Sequence, residues 1–289
     1  APNARDLQGV DVPGRTDNTR ASCESCHGVT PHGEKANAKL DEHTDKIACV
    51  TCHVPKFARG GRKTKMWWDW STAGKKDQHG KPLVVKDDQG YDLYHFKKGD
   101  FRWESDVTPE YRWFNGRVEF STLGDKIDDS DVVSINKVSG SYDDPNSRIW
   151  PFKVMRGRQP YDTVNKVLAV PHLFGKDSDA YWKSFDWKRA IGAGLASSGI
   201  QFSGEHGFIE TEYYWPVTHM VAPTEEALGC ESCHQRDGIL ADLEGGYLPG
   251  RDNIALLDSF GWLLVIGTLG GVGLHGVGRI VSSSKRRKG

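Results

Sequence analysis

Apolar residues along this chain of 289 residues fall into three unlike patterns. From 1 to 60 they are sparse and set among Gly, Pro and polar residues, with helical spacing confined to the stretch around "EKANAKLDEHTDKIACVTCH". From about 61 to 222 they come as aromatic knots, "MWWDWS", "YDLYHF", "FRWE", "YRWFNGRVEF", "RIWPF", "YWKSFDW" and "TEYYWP", parted by breakers such as "SGSYDDPNS". From 260 to 278 they run as "FGWLLVIGTLGGVGLHGVG", between Asp258 and Arg279, with no formal charge inside. Alternation predicts a strand in "RVEFSTLG" at 117–124, and the spacing predicts a helix over 179–199. The remainder reads as long irregular connections, more than an ordinary compact domain holds unless a rigid non-protein body organises them. The expected class is mainly α with long irregular segments and little β, plus one C-terminal transmembrane helix.

The last apolar stretch, at roughly 20 residues, is long enough to cross a bilayer as a helix. Trp262 sits near one end and "SSSKRRKG" follows the other, so the positive-inside tendency expects a cytoplasmic C-terminus and a body outside the cytoplasm, on the periplasmic side. A buried helix of a soluble domain is the alternative. The expected organisation is an extracytoplasmic domain over 1–250, a linker over 251–259, a span over 260–281 and a basic tail over 282–289. The chain opens at Ala1 with no apolar leader, so the expectation is a removed secretory signal or a fragment.

Composition sharpens the picture. Hydrophobic content is only 37%, while there are ten tryptophans and 33 glycines, so something other than aliphatic side chains fills part of the interior. A net charge of −1 without a basic block in the soluble part excludes a nucleic-acid footprint. Length alone demands no staples or metals, so the six cysteines need a chemical explanation.

All six fall in Cys-x-x-Cys-His units: Cys23, Cys26 and His27; Cys49, Cys52 and His53; Cys230, Cys233 and His234. This is the attachment motif of c-type haem. Two thiols form thioethers to the macrocycle, and the adjacent imidazole is delivered to the iron. Structural zinc is the first competitor, but it gives no reason for a histidine directly after the second cysteine three times. A disulfide framework is the second, and it leaves the histidines unexplained. Three covalent haems c are therefore expected, and their macrocycles supply the missing core.

Electron-transfer haems usually take a sixth ligand, and eight histidines lie outside the motifs. His43 in "DEHTDK", His172 in "AVPHLFG" and His219 in "PVTHMVAP" stand beside turn residues or attachment motifs and are the first choices. His32 in "GVTPHGEK" comes next, as a ligand to a neighbouring haem or to one of another subunit. His79, His95 and His206 have ordinary contexts, and Lys35, Lys39 and Lys46 read as solvated charges. In the presumed span Gly267, Gly271, His275 and Gly278 share one helical face, which lets another helix or a porphyrin approach closely. The expectation is packing on an integral membrane cytochrome b-like, quinone-linked partner with His275 at its haem b, against a plain anchor as the alternative.

The blocks "CESCHGVTPH", "HTDKIACVTCHVPKFARGG", "WDWSTAG", "PEYRWFNG", "GSYDDPNSRIWPFKVMRGRQPYDTVNK", "PHLFG", "YWKSFDWKRAI" and "YWPVTHMVAPTEEALGCESCH" resemble the C-terminal part of the octahaem tetrathionate reductase family of c-type cytochromes. The resemblance runs from about residue 21 to the membrane tail, and His43, His172 and His219 match its histidine-containing blocks. It implies eight haems where this chain has motifs for three, and the family's catalytic haem, with its unusual lysine ligand, belongs to the part without a counterpart here. The expected function is therefore a membrane-anchored trihaem subunit passing electrons between the quinone-linked partner and an extracytoplasmic redox protein, beside further multihaem cytochrome subunits. The alternative is a reductase of sulfur or nitrogen oxyanions at one haem with an exchangeable distal site.

Overall fold

A computed structural model describes residues 5–6, 23–28, 30–33, 38–252 and 254–286. Lys35 and the last residues of the basic tail, 287–289, lie outside them. The chain divides into two compact units, one of residues 1–229 with 243–245, the other of 230–242 with 246–289.

The first unit is built on β-structure. Its strands are β1 (Arg5–Asp6), β2 (Thr64–Asp69), β3 (Val84–Lys86), β4 (Asp92–His95), β5 (Gly99–Glu104), β6 (Glu110–Phe114) and β7 (Arg117–Phe120). They continue with β8 (Val133–Ser134), β9 (Asn136–Val138), β10 (Arg148–Asp162), β11 (Val167–Leu168) and β12 (His206–Pro216). Nine of these form one mixed sheet in the order β3-β4-β5-β2-β10-β12-β8, with β6 and β11 also paired to β10, and β1-β7-β9 form a small second sheet. The expectation of a mainly α fold with little β is thus wrong: the large sheet makes the chain mixed α/β, and helix accounts for 27% of it. Most of the aromatic knots are strands, while "YWKSFDW" is helical. Trp, Tyr and Phe fit a pleated, half-buried surface, and here many of them pack on one another. Phe152, for example, meets Phe114 and Tyr214 edge to face.

The centre of the sheet is the fifteen-residue β10, antiparallel to β12 from Phe152↔Pro216 to Asp162↔His206 and parallel to β2 at Arg156↔Trp67. Gly157 permits that parallel contact, because a Cβ there would lie 2.3 Å from the Trp68 carbonyl oxygen. The predicted strand at 117–124 is present as β7, Arg117–Phe120. The predicted helix at 179–199 is broken into α4 and α5 (Tyr181–Ser184 and Trp187–Ser197 in the present numbering) by Phe185, which takes a left-handed φ of 53°. The helices before them are α1 (Cys23–His27), α2 (Ala38–His43) and α3 (Cys49–His53).

The main core joins sheet to helix. Phe152, Val154 and Tyr214 pack with Phe114, Val118 and Trp150 against Ala48, Val50, Val54 and Phe57, which flank and include α3. In the second unit α6 (Cys230–Cys233) precedes α7 (Ala255–Arg286), of which Ala255–Ser283 is long and apolar enough to cross a membrane. The apolar side chains of α7 are exposed, Leu256 and Leu274 most of all.

Candidate functional site

Each motif is one short helical turn: α1 holds "CESCH", α3 "CVTCH" and α6 "CESC", with the His234 N–H donating to the Cys230 carbonyl at 2.9 Å. The two cysteines of a motif stand three residues apart and the histidine four from the first, so all three fall toward one side of the turn. None of the six cysteines is joined to another in a disulfide.

Backbone pairing fixes α3 on the end of β10. The Ile149 N–H donates to the Lys46 carbonyl at 2.7 Å, and Ala48 N–H donates back to Ile149 at 3.1 Å. The Thr51 hydroxyl, fully buried, donates to that same Ile149 carbonyl at 2.6 Å. From the other side the segment after β12 lies over the motif: Ala222 N–H donates to the His53 carbonyl at 2.8 Å and Leu228 N–H to the Cys52 carbonyl at 3.0 Å. His219 is in this segment, exposed, three residues before Ala222. In α1 the Glu24 carboxylate accepts from the Arg148 guanidinium at 3.3 Å, so β10 also anchors the first motif.

The first two motifs come together. The Cys23 thiol hydrogen-bonds with that of Cys49, chiefly for which its pKa is pulled down to about 6, while burial and Glu24 oppose. Three imidazoles gather beside them: burial first, then the charges of His32 and His27, hold His53 below its ordinary pKa. The rings of His32 and His53 lie parallel, 9° apart in plane with centroids 6.3 Å apart. The His32 Nδ1 donates to Asp41 Oδ1 at 2.9 Å, which places the proton on Nδ1 and the lone pair on Nε2. His43 has the same tautomer, its Nδ1 donating to the Lys39 carbonyl one turn back in α2.

His172 stands outside this gathering. Its N–H donates to the Ala190 carbonyl of α5 at 2.8 Å, and its Nε2 pairs with Asp177 at 3.0 Å. In the second unit His234 Nδ1 donates to the Pro249 carbonyl at 3.2 Å, again leaving the lone pair on Nε2. Gly250 makes that closure possible, since it takes φ of 90° and a Cβ would lie 2.4 Å from the His234 carbonyl oxygen. His275 is exposed on α7, and a Cβ on Gly267, Gly271 or Gly278 would meet nothing within 4 Å.

Residues 65–237 match the family described as bacterial cytochrome c. The chain belongs to this family. The crystal structure of octaheme cytochrome c from Shewanella oneidensis is similar, at 38% identity and a TM-score of 0.69, over 80% of this chain and 51% of that one. This cytochrome thus spans about half the length of the octahaem structure it matches. None of the curated proteins compared matches it. The chain is a multihaem c-type cytochrome of the electron-transfer type, and its family carries covalently bound haem c.

The residues present fit that group. His32 and His53 stand with their rings nearly parallel and their centroids 6.3 Å apart, where both could serve one iron. Sequence reasoning ranked His32 behind His43, His172 and His219, because nothing in "TPHGE" shows that the chain returns to α3. It also missed Asp41, Arg148 and Gly250, whose roles depend on partners 9, 124 and 16 residues away.

Proposed function

We propose that the chain carries three haems c, one on each motif, and serves as a membrane-anchored electron-transfer subunit. Cys23, Cys26 and His27 hold the first; Cys49, Cys52 and His53 the second; Cys230, Cys233 and His234 the third. His32 is the sixth ligand opposite His53, and His43, His172 and His219 remain the proposed ligands of other irons. The observation that carries the reading is the parallel His32–His53 pair, because an iron with two strong imidazole ligands has no open position for a substrate.

When bound, each haem iron supplies a one-electron Fe(III)/Fe(II) couple. The protein's own part is to hold the ligands in fixed tautomers, exclude water and set potentials. Asp41, the Lys39 carbonyl and the Pro249 carbonyl each take the Nδ1 proton of a histidine. The core around Phe57, Trp150 and Phe152 keeps water from α3.

The exposed α7 is read as the anchor, with the basic tail in the cytoplasm and the body on the periplasmic side. Its face of Gly267, Gly271 and Gly278 has room for a close-packed helix of a cytochrome b-like, quinone-linked partner, with His275 at that partner's haem b. A second multihaem cytochrome on the periplasmic side completes the route. Detergent extraction followed by intact mass measurement tests the reading: three covalent haems on a protein that resists high-salt release are expected. Fewer than three, or release by salt alone, overturns it.

A further inference from the structure

We infer that Asp41 is a positioning residue that lowers the potential of the haem ligated by His32 and His53. The inference rests on the axial pair proposed above. One oxygen of Asp41, Oδ1, accepts twice from the same residue: from the His32 backbone N–H at 3.2 Å and from its Nδ1 at 2.9 Å. That double grip fixes both the position of the residue and the rotation of its ring, and aligns the ring within 9° of His53. The pair is well shielded, with the Asp41 side chain 13% and the His32 side chain 28% exposed, so the interaction is little screened by water. Asp41 is itself placed by α2, whose last turn is closed by the Thr44 hydroxyl donating to the Asp41 carbonyl at 2.6 Å.

A carboxylate that accepts the Nδ1 proton raises the electron density at Nε2 and makes the imidazole a stronger donor. A stronger donor favours the more positive iron, Fe(III), and so lowers the potential. Among the described residues, His43 and His234 donate from Nδ1 to the neutral carbonyls of Lys39 and Pro249, whereas His32 donates to a charge.

The test is a mediated redox titration of the full-length holoprotein and of Asp41→Asn, with the low-spin signals followed by electron paramagnetic resonance. Outer partners of metal ligands typically change metal-site properties by about tenfold or more. One of the couples in Asp41→Asn is expected to shift about tenfold toward the reduced form, which is about 59 mV upward for one electron. Asp41→Glu returns it toward the starting value. Potentials unchanged in Asp41→Asn overturn the inference, as does loss of haem or of the low-spin signal that Asp41→Glu does not restore, since Asp41 is then a loop strut. His32→Ala separates this from the underlying reading: a new high-spin haem keeps the axial pair whatever Asp41 does, and an unaltered set of low-spin signals removes it.

Discussion

Replacing Gly250 with alanine should loosen the axial ligation of the third haem by His234 and leave the other two unchanged. Two costs add at this position. A φ of 90° is strained for any residue with a Cβ, by about 1–3 kcal/mol. The new Cβ would also lie 2.4 Å from the His234 carbonyl oxygen and 2.6 Å from its carbon, both backbone atoms that no rotamer change can move. Crowding of this kind costs about 1–3 kcal/mol more, so the total is about 4 kcal/mol. The chain can relieve it only by opening the turn at 249–250, which gives up the His234 Nδ1 bond to Pro249 and with it the fixed orientation of the proximal imidazole. Gly199→Ala is the control: its φ of 73° brings similar strain, but nothing stands within 4 Å. Electron paramagnetic resonance of the oxidised holoprotein then reads the ligation. A new high-spin signal in Gly250→Ala and none in Gly199→Ala are expected, and unchanged low-spin signals in both, with equal unfolding midpoints, would refute the reasoning.

Asp162, fully buried at the β10–β11 turn, accepts from the Val164, Asn165 and Ser203 backbones and from the Ser203 hydroxyl. Burial alone would raise its pKa, but these bonds outweigh it and hold the carboxyl at about 2, below its ordinary 3.8. A lowered folded value gives stability that is full above about pH 5, roughly 2–3 kcal/mol, and is lost as pH falls through 3.8 toward 2. Denaturant midpoints measured from pH 6 to pH 2 should show this acid limb in the wild type and flatten it in Asp162→Asn. Thr51→Val removes the buried hydroxyl bond that ties α3 to Ile149 and should lower stability by about 1 kcal/mol with the haem count intact, read from the denaturant midpoint. A chain ending at residue 254 should partition into the aqueous phase in detergent phase separation with its absorbance spectrum unchanged, and retention in the detergent phase would remove α7 as the anchor.

The chemistry of this protein is written locally and its architecture is not. Cys23 to His27 fit in one helical turn, so their meaning survives without knowledge of the fold. The apolar run of α7 is equally local. The large sheet was illegible because its central strand breaks the usual signs: β10 contains Pro151, Gly157 and Pro160, each a reason to read a turn. Those residues are accommodated by partners that change along its length, β6 at Pro151, β2 at Gly157 and β12 at Pro160. Trp68, which stacks on Trp70 and tilts against Phe101, lies in the sheet region, a packing that the spacing of the aromatics does not show. His32 was legible as a histidine near a haem motif but not as the neighbour of His53, a contact made only when the loop after α1 returns to α3.

The most direct test of the account is the electron paramagnetic resonance spectrum of the oxidised holoprotein, with and without nitrite or tetrathionate. Three low-spin haems indifferent to either anion are the predicted result. A high-spin haem whose signal changes when the anion is added would contradict an electron-transfer role and make this chain a reductase.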